Sequence, residues 1–181
     1  MLFSGLPFLY YFLPAVLVCY FAAPRKLKNA VLFVFSLIFY GWGEPRYIVL
    51  MIVSIVSGFV FALMIEKKQN KKSGLILMWI SVAVSLSFLL IFKYADFLIE
   101  NVNQLPGVSL PLSKLSLPIG ISFYTFQIIS YTVDVWRGDT KAQRNIISFG
   151  TYVSLFPQLI AGPIVRYKDI AEQLDHRKET A

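Results

Sequence analysis

Charge is scarce in this chain. Only 15% of its 181 residues are charged, whereas 57% are hydrophobic and 16% are aromatic. A soluble protein of this length would cover one core with a charged surface, and this composition does not supply such a surface. There is one histidine and one cysteine, Cys19, which excludes a disulfide framework and a Cys/His metal cluster. A CxxC motif, a glycine-rich phosphate loop and a Ser-His-Asp set are also missing. The composition therefore predicts a membrane protein with no metal site.

Six uncharged stretches divide the sequence, and four of them contain 19 to 21 residues. A bilayer core about 30 Å thick needs about 20 apolar residues in a helix. The stretches lack the period-two alternation of a barrel strand, so helices are favoured. We expect an all-α, multi-span membrane protein with about five transmembrane helices and a broken sixth segment. The stretches are 1–23, 29–43, 47–65, 73–92, 115–133 and 145–165.

Basic residues concentrate in three alternate connections, 24–28, 66–72 and 136–145. Lys and Arg accumulate in the cytoplasmic connections of membrane proteins. This rule explains the net charge of +7 without a nucleic-acid partner. It places the three connections in the cytoplasm and the N-terminus outside. No charge precedes Arg25, so a secretory signal is not expected and the first span is retained.

The sixth stretch, 145–165, contains Pro157 and the pair Gly162-Pro163, which interrupt helical hydrogen bonding. Basic residues follow it directly, and a full crossing would carry them outside. A re-entrant segment that returns to the cytoplasm accounts for both observations. Non-helical backbone at membrane depth is tolerated where protein or a water-filled cavity surrounds it.

The last part of the chain is polar. We expect a transmembrane region over 1–165 and a polar, cytoplasmic, interfacial tail over 166–181. Within the tail, 166–178 resembles a short polar helix. Its residues Tyr167, Ile170 and Leu174 have helical spacing, which predicts an apolar face resting on the membrane surface.

Polar residues inside the fifth stretch form a stripe. Tyr124, Gln127 and Tyr131 share one helical face, and Asp134 continues it towards the cytoplasm. Two interpretations stay open. The stripe lines a substrate tunnel, because polar groups inside a membrane are costly unless they serve a function. Alternatively it forms hydrogen bonds between helices, which spacing alone favours.

The other polar candidates are weaker. Gln158 either satisfies backbone groups freed by the prolines or contacts a ligand. Asp96 and Glu100 are four residues apart at a membrane boundary, which is typical of a solvated helix end. His176 lies between Asp175 and an arginine in the most polar part of the chain and is expected at the surface. The residues alone therefore assign no catalytic group.

Two blocks resemble the signature of the membrane-bound O-acyltransferase family. Residues 117–138 read Leu-Pro-Ile-Gly-Ile-Ser-Phe-Tyr-Thr-Phe-Gln-Ile-Ile-Ser-Tyr-Thr-Val-Asp-Val-Trp-Arg-Gly. Residues 152–170 read Tyr-Val-Ser-Leu-Phe-Pro-Gln-Leu-Ile-Ala-Gly-Pro-Ile-Val-Arg-Tyr-Lys-Asp-Ile. Both are similar to the branch that acetylates alginate, as are Phe-Leu-Tyr-Tyr-Phe-Leu-Pro at 8–14 and Phe-Tyr-Gly-Trp-Gly-Glu-Pro at 39–45. The resemblance covers essentially the whole chain.

The resemblance implies an O-acyltransferase of the bacterial cytoplasmic (inner) membrane. An acyl donor, acetyl-CoA or another acetyl carrier, acts as substrate from the cytoplasmic side, and no cofactor is bound. The acetyl group passes towards an exported polysaccharide such as alginate, often through partner proteins outside. Relatives that transfer D-alanine, or that acetylate peptidoglycan, are an alternative. A non-catalytic membrane scaffold or transport subunit is a third interpretation.

The resemblance also implies where the chain departs from the family. Members are more than twice as long, and their catalytic histidine lies in a hydrophobic context that His176 does not match. We therefore expect an N-terminal portion that is inactive alone. The candidates for lining a tunnel or contacting substrate are Tyr124, Gln127, Tyr131, Asp134, Gln158 and Arg166.

Overall fold

The computed structural model describes residues 5–69, 71–103, 118–161 and 165–175, and its regular elements are all helical within these ranges. A π-helical turn, Phe8–Phe12, leads into the first α-helix, and a 3₁₀ turn, Arg25–Leu27, precedes the second. The α-helices are α1 (Leu13–Ala22), α2 (Lys28–Gly43), α3 (Ile48–Lys67), α4 (Lys72–Val102), α5 (Ile121–Arg137), α6 (Ile146–Ser154), α7 (Phe156–Ala161) and α8 (Tyr167–Asp175). The prediction of an all-α protein is confirmed.

Within the described residues, two helical segments are long and apolar enough to cross a membrane: α3 and the part of α4 from Lys72 to Tyr94. In the most apolar 18-residue stretch of each segment, only 33% of the residues of α3 and 22% of those of α4 are buried. Most of these side chains therefore face outwards, as contact with lipid requires. Two shorter apolar helical stretches cover Phe8–Ala22 and Ile146–Leu159. These helices support a membrane location. The count of five spans stays a prediction.

Helix α5 occupies the centre of the packing. It contacts α3 and α4, and it also contacts α6 and α8, while α2 packs on α6 and α1 on α2. The approach of α3 to α5 depends on Gly58, because a Cβ there would lie 2.7 Å from Ile128 Cγ2. Tyr131 and Phe149 belong to the main buried core. A smaller cluster joins Phe8, Val16, Phe39 and Phe156.

Helix α5 runs one turn beyond the uncharged stretch that predicted it. Its end is a Schellman motif at Gly138, whose φ of 84° is in the left-handed region that glycine adopts readily. The Asp139 N–H donates to Asp134 O (2.9 Å), and the Gly138 N–H donates to Val135 O (3.2 Å). Asp134 therefore lies in the last turn of α5.

The three basic connections lie at the same end of the molecule. Gln69 Nε2 donates to Val135 O (3.2 Å), and the Ala142 N–H donates to Glu66 Oε1 (3.0 Å). These bonds join 66–72 to 136–145. Asn29 Nδ2 donates to Ser148 Oγ (3.0 Å), which brings the start of α2 to the start of α6. The three connections that the distribution of Lys and Arg assigned to one side of the membrane thus lie together in the structure.

The sixth stretch is broken where α6 ends. Leu155 leaves the helical conformation (φ −53°, ψ 112°), and Pro157 falls in the first turn of α7, where its missing N–H costs no helical bond. A Cβ on Gly120 would lie 3.1 Å from Leu159 Cδ2, so α7 reaches the start of α5. Gly162-Pro163, also predicted to break this stretch, lies outside the described residues.

The polar helix predicted at 166–178 is confirmed over Tyr167–Asp175 as α8. Its apolar face was expected to rest on the membrane surface, and the structure places it elsewhere. Tyr167 is 2% exposed and makes edge-to-face ring contacts with Tyr131 and Tyr152, and Ile170 packs on the same core. For these two residues the face rests on α5 and α6 and not on a membrane surface. The division at 165 stays a prediction.

Candidate functional site

The polar stripe of α5 is buried along its whole length. Tyr124, Gln127, Tyr131 and Asp134 are each at most 3% exposed. From the first to the last of them the helix rises about 15 Å. Because α3 and α4 cover α5 on one side and α6 and α8 cover it on another, these side chains point into protein. Burial of this kind requires a partner or a function for each polar atom.

Tyr131 satisfies its hydroxyl within the fold. The Gln143 backbone N–H donates to Tyr131 Oη (2.7 Å), and the ring packs against Phe149 (4.7 Å between centroids) and Tyr167 (4.8 Å). Tyr152 lies 5.2 Å from Tyr167, again between ring centroids. Tyr131 therefore has hydrogen-bonding and packing partners on other elements, and its role in lining a tunnel stays a prediction.

Gln143 connects this aromatic cluster to the loop before α6. Its Nε2 donates to Tyr167 Oη (2.8 Å), and its Oε1 accepts from the backbone N–H of Arg144 (2.7 Å) and of Asn145 (3.0 Å). Asn145 in turn caps α6 by accepting from the Ile147 N–H (2.9 Å). One buried amide thus joins the loop, α8 and the start of α6. The sequence gives no periodic signal for Gln143, which stands in a polar connection.

Gln127 and Asp134 are different from Tyr131. Gln127 Oε1 and Asp134 Oδ2 are buried, and neither has a hydrogen-bond partner among the described residues. An unsatisfied buried acceptor costs about 1–3 kcal/mol, and more when it is charged. Hydrogen bonding between the described helices does not account for these two atoms. They are the strongest candidates for contact with a ligand.

Tyr124 lies nearer the start of α5 and faces Tyr40 of α2. The two hydroxyls interact electrostatically, yet neither forms a hydrogen bond of ordinary geometry with any described residue. Both side chains are at most 5% exposed. Tyr40 was not predicted as a site residue, although it stands in the block 39–45 that resembles the family. It extends the buried polar region beyond α5.

The two remaining candidates lie on other elements. Gln158 of α7 is half-buried, and its Nε2 is a buried donor with no partner among the described residues. Arg166 is exposed directly before α8. Asp134 interacts electrostatically with Tyr152 of α6, whose hydroxyl donates to Val165 O (3.0 Å). The carboxylate of α5 therefore lies towards the broken segment.

The described residues hold no group of three or more His, Cys, Asp or Glu side chains that could bind a metal. His176 lies outside them. What α5 and its neighbours offer is a buried wall of hydroxyl, amide and carboxylate groups within an apolar bundle. Such a wall can bind and orient a polar group that passes through the protein.

Comparisons with known proteins identify relatives of this chain. The chain is 39% identical to a probable alginate O-acetylase AlgI of Pseudomonas aeruginosa, over 99% of this chain and 36% of the relative. The corresponding protein of Azotobacter vinelandii is 38% identical, over 99% of this chain and 37% of its own length. A peptidoglycan O-acetyltransferase of Helicobacter pylori is 29% identical, over 96% of this chain and 38% of its own.

The chain thus spans little more than a third of the length of these relatives. No protein-family model matches it, and no solved structure does. The similarity extends over nearly every part of the chain, including both signature blocks. The chain is therefore a homologue of named O-acetyltransferases, which confirms its resemblance to the alginate branch of the membrane-bound O-acyltransferases.

Proposed function

We propose that this chain is part of a membrane O-acetyltransferase that transfers acetyl groups towards an exported polysaccharide such as alginate. The observation that carries the proposal is similarity to alginate O-acetylases over 99% of the chain. The unsatisfied polar atoms on α5 lie within a signature block, where contact with substrate is expected. The donor is acetyl-CoA or another acetyl carrier, and partner proteins outside receive the acetyl group.

The proposed role of the α5 wall is to guide and orient the acyl group. In the transfer, the acceptor hydroxyl forms a new ester bond to the acetyl carbon, the bond to the donor breaks, and the hydroxyl proton passes to a base. The Tyr124 hydroxyl can donate a hydrogen bond to an acyl carbonyl, and Gln127 Oε1 can accept one from a donor group of the substrate. Asp134 offers a carboxylate oxygen to a donor group. Gln158 and Arg166, in and directly after the segment 145–165, are proposed to contact the acyl group on its way to α5.

The proposed arrangement in the membrane has five spans, with the N-terminus outside the bacterial inner membrane and the three basic connections in the cytoplasm. Its support is the hydrogen bonding that holds these connections at one end of the molecule. Ten Lys and Arg residues in them face the same side as a result. Such an excess is typical of the cytoplasmic side.

Accessibility of single cysteines tests this arrangement. With Cys19→Ser as background, Lys26→Cys, Lys68→Cys and Lys141→Cys are expected to resist a membrane-impermeant thiol reagent in intact cells. All three side chains are exposed in the structure, so only the membrane can shield them. Gly107→Cys is expected to react, and permeabilised cells provide the control in which all four react. Labelling of Lys68→Cys in intact cells would reverse the orientation.

We further propose that the segment 145–165 is re-entrant. Gln143, three residues before α6, contacts Tyr167 at the start of α8. Between Gln143 and Tyr167, Leu159 of α7 lies against Gly120 at the other end of α5. From Gly120 to Tyr131, which Tyr167 contacts, α5 rises about 16 Å. A segment that enters from the basic end and returns to it explains these contacts better than a full crossing.

The re-entrant proposal predicts the same labelling at both ends of the segment. Lys168→Cys, exposed on α8, is expected to be shielded in intact cells to the same extent as Lys141→Cys. The measurement is the ratio of labelling in intact and permeabilised cells. If Lys168→Cys instead labels like Gly107→Cys, the segment crosses the membrane completely.

A second candidate acceptor is peptidoglycan, because a peptidoglycan O-acetyltransferase is among the relatives. Deletion of the gene separates the two acceptors. We expect ester-linked acetate to disappear from the exported polysaccharide and to remain on muramic acid. Loss from muramic acid alone would favour the second candidate. Unchanged acetate in both fractions would overturn the acetyltransferase proposal.

A further inference from the structure

A basic cleft opens between the start of α4 and the end of α5, at the end of the molecule that holds the three basic connections. Its volume is about 510 Å³, and its lining residues are Lys71, Lys72, Leu75, Trp136 and Arg137. Ligand sites typically enclose about 300–1,000 Å³. The cleft lies apart from the polar stripe of α5, whose buried side chains do not line it.

Within the described part of the chain, the cations of this cleft form no ion pair. Lys71, Lys72 and Arg137 are exposed, and no carboxylate among the described residues forms an ion pair with any of them. The first turn of α4 contains no acidic residue and no capping side chain, so its free N–H groups add positive potential. Three cations brought into one cleft repel each other unless an anion joins them. The cleft is therefore suited to an anion.

The other walls of the cleft indicate the source of that anion. Trp136 is half-buried and Leu75 is 38% exposed, so the cations stand beside apolar surface. The apolar span of α4 starts at Lys72, which places the cleft at a membrane boundary, where tryptophan is enriched. Basic pockets between transmembrane helices hold anionic headgroups. A phospholipid combines a phosphate with apolar chains in this same arrangement.

We propose that this cleft binds the phosphate of an anionic lipid headgroup, such as that of phosphatidylglycerol. Lys71, Lys72 and Arg137 hold the phosphate, and Trp136 with Leu75 contacts the upper part of the acyl chains. The site requires a membrane location but not acyl transfer, so its test is independent of the acetyltransferase proposal.

The test uses Trp136 as its own reporter. The full chain carrying Trp42→Phe and Trp79→Phe retains only this tryptophan. It is placed in phosphatidylcholine vesicles with an equal mole fraction of either brominated phosphatidylglycerol or brominated phosphatidylcholine, and bromine-dependent quenching is measured. We expect phosphatidylglycerol to quench about twice as strongly, because it is concentrated at the cleft. Lys71→Gln with Lys72→Gln should remove the preference.

The matched control is Arg25→Gln with Lys26→Gln, an equal charge loss at the same end but outside the cleft. It should keep the preference. A preference that survives Lys71→Gln with Lys72→Gln, in a chain whose helical circular dichroism is intact, would overturn the site. If that double variant does not fold, Arg137→Gln provides the same comparison.

Added inorganic pyrophosphate distinguishes the source of the phosphate. One outcome is that no lipid preference is seen, while pyrophosphate shifts the emission of Trp136 and the shift is lost in Lys71→Gln with Lys72→Gln. In that case the cleft binds phosphate, but from a soluble ligand and not from a lipid. Absence of both responses would overturn the proposal.

Discussion

Replacement of Gln143 by leucine is expected to lower the free energy of unfolding by about 2–4 kcal/mol. The side chain is 9% exposed, and leucine has a similar volume, so the loss comes from hydrogen bonds and not from a cavity. The change removes the donor to Tyr167 Oη and the acceptor shared by the Arg144 and Asn145 N–H groups. Denaturant unfolding in detergent, followed by circular dichroism, measures the difference.

The effect of Gln143→Leu should be local as well as global. Without the amide, α8 loses a link to the loop before α6, so trypsin should cleave at Arg166 and Lys168 faster than in the unsubstituted chain. Lys141→Leu is the control, because its exposed side chain lies two residues away, and its effect is expected within about 0.5 kcal/mol. Equal stabilities of the two variants would mean that the bonds of Gln143 contribute little.

The second large effect is expected on α5. Gln127→Leu and Asp134→Asn should each lower acetyl transfer about tenfold or more, the result of losing one hydrogen bond worth about 1.4 kcal/mol or more. The free energy of unfolding of both variants should rise or stay unchanged. Gln127 Oε1 and Asp134 Oδ2 have no partner among the described residues, so neither substitution breaks a known bond to these atoms. Unfolding in detergent checks stability separately from activity.

This opposition between stability and activity separates the two interpretations of the stripe. If Gln127 serves packing, its replacement by an apolar residue leaves acetyl transfer unchanged. If it serves a substrate, a variant that is as stable as the unsubstituted protein transfers less acetate. A non-catalytic scaffold predicts the first outcome for both positions.

Much of the fold could be predicted because membrane helices depend on local composition. Uncharged length predicted the helices, and the distribution of Lys and Arg predicted which connections lie together, as Gln69 and Glu66 show. The face of α5 followed from a spacing of three and four residues. Helix ends were less predictable, since α5 continues through the charged Asp134 until Gly138 permits a left-handed turn.

The contacts that depend on tertiary structure could not be predicted. An apolar face on α8 is the same in sequence whether it rests on lipid or on protein, so the docking of Tyr167 against Tyr131 was missed. Tyr40 meets Tyr124 only because α2 packs within the bundle. Gln143 bonds mainly to backbone groups, which leave no pattern in the side chains.

The acetate content of the exported polysaccharide tests the central claim most directly, when Asp134→Asn is compared with Asp139→Asn at the native gene locus. Both substitutions remove one carboxylate, but Asp134 is buried on α5 and Asp139 is exposed beyond its end. With equal amounts of protein in the membrane, Asp134→Asn should reduce ester-linked acetate about tenfold while Asp139→Asn leaves it unchanged. Equal acetate in the two strains would contradict a role of the buried α5 face in acyl transfer.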